Sequence, residues 1–73
     1  MPRVTLYVKA GCDHCDRRRA ELVHRGVAFT EIDVARRPEV VPELLKLTKG
    51  RRVVPVTVEG ARIDVASAGG SEF

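Results

Sequence analysis

The chain has 73 residues, 44% of them hydrophobic and 32% charged, with a formal net charge of +3. That length buries one modest core, and the balance is that of a single globular domain rather than a disordered or fibrous chain. No apolar run approaches the roughly 18 residues of a membrane-crossing helix, and Met1-Pro2-Arg3 leads into a strand with no signal-peptide core, so a cytoplasmic protein without membrane contact is expected.

Val4-Thr5-Leu6-Tyr7-Val8 joins β-branched, apolar and aromatic residues and predicts a strand covered at least partly on both faces. Lys9-Ala10-Gly11 ends it. From about Asp13 to Arg25 the pattern turns helical, with Ala20, Leu22 and Val23 as a thin apolar stripe and Gly26 as the stop. Val27 to Val34 returns to strand periodicity, which completes a βαβ unit. A second helix is expected to begin between Pro38 and Pro42, to carry Val41, Leu44, Leu45 and Thr48 at helical spacing, and to end at Lys49-Gly50. Val53 to Val65 then reads as two short strands joined at Glu59-Gly60. The tail from about Ala66 to Phe73 has too few apolar residues for a third helix. Its last residues, Gly70-Ser71-Glu72-Phe73, also have the look of a vector-derived remnant.

Both cysteines fall in Gly11-Cys12-Asp13-His14-Cys15. In a reducing compartment so tight a C-x-x-C pair closes too small a loop to act as a staple, which leaves redox chemistry or metal binding ahead of simple packing. A thiol must ionise before it attacks a disulfide, and a helix N-terminus favours the thiolate through its unpaired N–H groups and partial positive charge. Cys12, placed at the exposed mouth of the helix, is the expected nucleophile. Cys15, one turn deeper, is the expected resolving thiol. His14 favours the Cys12 thiolate if protonated and Asp13 opposes it, unless both are merely solvated. Tyr7 either packs in the core or lines the site. His24, late in the helix, suits the C-terminal dipole better than a ligand role.

The order β-α-β-α-β-β with C-x-x-C at the first strand-to-helix junction resembles the glutaredoxin branch of the thioredoxin-like fold. The residues that carry the resemblance are Lys9-Ala10-Gly11-Cys12-Asp13-His14-Cys15, matching K-x-x-C-x-x-C, together with Glu31-Ile32-Asp33-Val34 and Gly50-Arg51-Arg52-Val53-Val54-Pro55, which stands where glutaredoxins carry G-x-R-T-V-P. The resemblance spans nearly everything up to about Val65. It implies an α/β domain with a mixed four-stranded sheet, the first two strands parallel and the last two antiparallel, and a third helix missing or vestigial. It further implies a cis bond before Pro55, with Val54 offering its backbone to a bound substrate beside Cys12, and a thiol–disulfide oxidoreductase that binds no cofactor and takes glutathione as co-substrate. Lys9 and Arg52 match positions of the family pattern and are expected to meet an anionic partner.

Three departures stand out. Asp13-His14 replaces the usual Pro-Tyr, Val53 replaces Thr, and the family's Gly-Gly-Asp glutathione signature is absent from its expected place, since Gly69-Gly70 comes several residues later with Ser71-Glu72 behind it. Arg17, Arg18, Arg19 and Arg51 join Lys9 and Arg52 as a possible positive collar, or are solvated helix and loop charges. Aromatics are too few for a nucleic-acid stacking platform. Two other readings stay open: an electron-donor redoxin recycled by thioredoxin reductase, and a two-thiolate module for Cu(I) or Zn resembling heavy-metal-associated domains. The second continues with a hairpin after its first helix, an order this sequence does not follow.

Overall fold

A computed structural model describes residues 4–67 and 69–73; the Met1-Pro2-Arg3 start lies outside them. Strand β1 (Val4–Val8) leads to helix α1 (Asp13–His24) and strand β2 (Phe29–Asp33), then through a 3-10 turn at Pro38–Val40 to helix α2 (Val41–Leu47). Four short strands follow: β3 (Val53–Val54), β4 (Val56–Glu59), β5 (Arg62–Val65) and β6 (Ser71–Glu72). β2, β1, β4 and β5 form one sheet in that order, and β3 pairs with β6 in a separate ribbon.

β1 is parallel to β2 and antiparallel to β4, while β4 and β5 form the antiparallel hairpin that turns at Gly60. The expected mixed four-stranded sheet is therefore present. β1 sits between two neighbours, so Val4, Leu6, Tyr7 and Val8 are all buried. They meet Leu22 of α1, Leu44 of α2, and Val54 and Val56 in a common core.

Helix ends follow local chemistry. Arg25 caps α1, and Gly26 takes the left-handed conformation at φ 71° that glycine adopts without steric cost. The Gly26 N–H donates to the Val23 carbonyl and the Val27 N–H to Leu22, two bonds that close the helix and turn Val27 back onto the core. Pro42 lies in the first turn of α2, where its missing N–H would have had no helical partner.

The apolar stripe of α1 differs from the sequence reading. Leu22 is buried, but Val23 is 65% exposed and Ala20 is exposed. The buried face is instead Cys15 and Leu22, seven residues apart and hence two turns along one side of the helix. Between them lie Arg18 and Arg19, whose heads are ion-paired to Asp64 and Glu31. As expected, the described residues after β5 form no third helix; Ser71–Glu72 form a short strand, β6.

Candidate active site

Three backbone devices converge at the cysteines. The β1–α1 junction sets Cys12 in extended conformation, at φ −99° and ψ 108°, as the N-cap of α1. From there its sulfur accepts the Cys15 backbone N–H at 3.1 Å, and its carbonyl accepts Asp16 N–H at 3.1 Å. A cap position ordinarily filled by a hydroxyl or carboxylate oxygen is thus filled by a thiol. The second device is the cis Val54–Pro55 bond, with both residues buried. The third is the antiparallel pairing of β3 with β6, which sets Val54 opposite Ser71 and Val53 opposite Glu72.

Neither thiol is at an open mouth. Cys12 is 1% exposed and Cys15 is 0% exposed, which corrects the expectation of an exposed Cys12. The expected inequality between the two thiols is nevertheless present. Burial pushes Cys12 up, but hydrogen bonds from the Cys15 thiol, the Ser71 hydroxyl and the backbone N–H groups of Cys15 and His14 outweigh it and hold Cys12 below the ordinary thiol range. Cys15 is pushed up to about 12, by burial first and then by donating its proton to Cys12, against an opposing backbone hydrogen bond from Lys9.

The remaining sequence-predicted residues separate into two groups. Lys9 and Arg52 face the tail: the Lys9 ammonium donates to the Glu72 carbonyl, and Arg52 Nε donates to the Phe73 carbonyl at 3.0 Å. The Arg52 guanidinium also lies 4.9 Å from the centre of the Phe73 ring. His14 lies beside Gly69, and the two help line a small cleft of about 60 Å³ with Arg17, Arg18, Glu21 and Pro55. Asp13 is exposed in the first turn of α1.

Tyr7 lies in the core, buried within β1, where burial and then the Glu43 charge raise its pKa. Most of the arginine collar is engaged elsewhere. Arg18 bridges to Asp64 at 3.0 Å and to Ser67 at 3.2 Å, and Arg19 ties Asp16 to Glu31. Arg17 and Arg51 are exposed.

Ser71 is the site residue that sequence reasoning missed. Its signal was the preceding pair of glycines. A Cβ on Gly69 would come within 2.8 Å of the His14 ring, and one on Gly70 within 2.5 Å of the Val54 carbonyl oxygen. Only bare backbone passes that close to the site.

Comparison with known proteins adds a second line of argument. The glutaredoxin family model matches residues 4–63. The chain is 30% identical to the glutaredoxin-like NrdH-redoxin of Escherichia coli, a protein described as having a thioredoxin-like activity profile, with a TM-score of 0.77 over 86% of this chain and 80% of that one. It is 27% identical to the glutaredoxin grx-1 of Archaeoglobus fulgidus, with a TM-score of 0.79 over 99% of this chain and 78% of that one. No curated relative matches.

Proposed function

The chain belongs to the glutaredoxin family, and from that premise we propose that it reduces disulfides, including glutathione mixed disulfides, through Cys12 and Cys15. The observation that carries this reading is the cap geometry: the Cys12 sulfur stands at the head of α1 and accepts the Cys15 backbone N–H at 3.1 Å, with the second thiol one turn along the helix.

The steps follow from that inequality. Cys12, as thiolate, attacks one sulfur of a substrate disulfide and forms a mixed disulfide, while the other substrate sulfur leaves as a thiolate and takes up a proton. Cys15 then gives up its proton and attacks the Cys12 sulfur. A Cys12–Cys15 disulfide forms, and the second substrate thiol is released. Two electrons have passed to the substrate, with one proton from Cys15 and one from solvent. A thiol reductant restores the dithiol.

Lys9 and Arg52 supply cations for an anionic partner, and the Val54 backbone is where an extended partner would pair. His14 offers its backbone N–H to the Cys12 sulfur, and Asp13 is exposed next to it in the chain. Glutathione and protein disulfides are the partners this chemistry fits, in a reducing compartment such as the cytoplasm.

A second electron source also has specific support. The likeness to NrdH-redoxin, together with a tail lying where the cations would meet glutathione, favours recycling by thioredoxin reductase. One assay decides between them: reduction of a small disulfide followed with glutathione and its reductase, or with thioredoxin reductase. Turnover with either supports the oxidoreductase reading, and the active arm names the source. Turnover with neither refutes it.

No helix among the described residues is long and apolar enough to cross a membrane. The order of elements also bears on the two-thiolate metal module, because α2 follows β2 where that architecture has a hairpin.

A further inference from the structure

The segment from Gly69 to Phe73 makes, within one molecule, the contacts that the functional reading assigns to a substrate. It pairs antiparallel with the Val53–Val54 edge. It takes the Lys9 ammonium on the Glu72 carbonyl and Arg52 Nε on the Phe73 carbonyl. The Phe73 N–H returns a bond to the Arg52 carbonyl at 3.3 Å. Gly69 and Gly70 carry the chain across the His14 ring and the Val54 carbonyl, and a Cβ on Gly70 would lie 2.5 Å from that backbone oxygen. The tail reaches Cys12 through the Ser71 hydroxyl, and Cys12 is 1% exposed.

We propose that Gly69–Phe73 is a strap that occupies the substrate's backbone-pairing edge at Val54 and covers Cys12 until an incoming extended polypeptide displaces it. The proposal rests on Cys12 being the attacking thiol. The strap is built to open. Its ribbon has two residues per strand and stands outside the four-stranded sheet, and so short a pairing is marginal on its own. Gly69, Gly70 and Glu72 are exposed, and Phe73 is the strap residue that packs against the core cluster. Lys9 and Arg52, freed by that release, become available to the displacing chain. Substrate and strap therefore compete for one set of groups, and the competition selects partners that can supply an extended backbone.

The closed strap has two opposite effects on Cys12. It hinders access to the sulfur, and it donates the Ser71 hydroxyl that favours the thiolate. Alkylation of the reduced protein by iodoacetamide across a pH range, with the modified thiol identified by mass spectrometry, separates them. The plateau rate reports access, and the midpoint reports ionisation.

Gly70→Ala places a methyl against the Val54 carbonyl and forces the strap off. It is expected to raise the Cys12 plateau rate at least several-fold while moving the midpoint upward. Phe73→Ala, which removes the ring beneath Arg52, is expected to do the same more weakly. Slow amide exchange in β1 verifies that the sheet is intact, and if Gly70→Ala loses it, Phe73→Ala decides alone. A plateau unchanged from wild type, with faster exchange at Ser71 and Glu72 showing the strap released, overturns the proposal. Alkylation needs no electron source. Faster alkylation without disulfide turnover therefore supports the strap and sinks only the oxidoreductase reading.

Discussion

The Cys15 backbone N–H points at the Cys12 sulfur across 3.1 Å, so the residue proposed to resolve the mixed disulfide already donates to the sulfur it would attack. The two thiols are in consequence one unit with two unequal protons.

That inequality has a pH signature. Cys12 is held below the ordinary thiol range and Cys15 is pushed up to about 12. Iodoacetamide is expected to modify Cys12 first, with a midpoint below the roughly 8.5 of a free thiol, while Cys15 stays unmodified until strongly alkaline pH. The depressed Cys12 contributes stability that is present above the unfolded-state pKa and lost as pH falls through the folded one. Cys15 acts in the opposite direction: the folded chain holds its proton more tightly, so stability declines as pH climbs from the unfolded value toward about 12. Urea unfolding near pH 7.5 and pH 10 under reducing conditions is expected to show a steeper alkaline loss for wild type than for Cys15→Ala.

Single substitutions divide the two roles. Cys12→Ser is expected to abolish disulfide reduction, because no nucleophile remains to form the mixed disulfide. Cys15→Ser should keep part of any glutathione-dependent activity, since a second glutathione can release the first, yet lose reduction of protein disulfides. Equal loss of metal affinity in both variants, with no reductase activity in wild type, would instead mark a metal-binding pair.

Lys9 and Arg52 are best tested on the Gly70→Ala chain, where contacts with the tail are no longer at stake. The double change Lys9→Gln, Arg52→Gln is expected to raise the apparent KM for glutathione several-fold and flatten its dependence on salt. An unchanged KM would show that glutathione does not use these cations.

Leu22 is the apolar anchor of α1 and is fully covered, whereas its neighbour Val23 stands in solvent. Leu22→Ala is expected to cost about 2–5 kcal/mol and Val23→Ala less than about 0.5 kcal/mol, read from denaturant unfolding. Comparable losses at both positions would mean that the helix packs on a different face.

Thr57 sits in β4 with a buried hydroxyl oxygen that has no hydrogen-bond partner among the described residues. Replacing it with valine keeps the shape and removes the orphaned group. Thr57→Val is therefore expected to be neutral or to stabilise by up to about 1 kcal/mol, and a clear destabilisation in the same unfolding assay would show that the hydroxyl has a partner after all.

What the sequence made legible was set by how local each signal is. β1, α1, β2 and the β4–β5 hairpin declare themselves within a few residues, through alternation, a cap and turn glycines. Val54–Pro55 was readable through its resemblance to a family pattern, and the bond is cis. The β3–β6 ribbon carried no such signal, because two-residue strands have no periodicity and Val53 is nineteen positions from its partner Glu72. The burial of Cys12 and the position of Ser71 went unseen with it. On α1, Ala20, Leu22 and Val23 were grouped by hydrophobicity alone, and Arg18 and Arg19 concealed the true buried face because their charges are settled by Asp64 and Glu31.

The outer strands of the four-stranded sheet are β2 and β5, and both carry charge: Glu31 and Asp33 on one, Arg62 and Asp64 on the other. Ionised side chains along an edge make it a poor template for a second molecule to extend. The Val53–Val54 edge has no such charge of its own, and its exposed backbone would invite strand addition between copies in a crowded cell. Its pairing with Ser71–Glu72 occupies one side of that edge within the molecule. Were the tail's pairing to shield this edge, a concentrated solution of a tail-released variant would show oligomers by light scattering, and a variant that stays monomeric would show that the edge is no template.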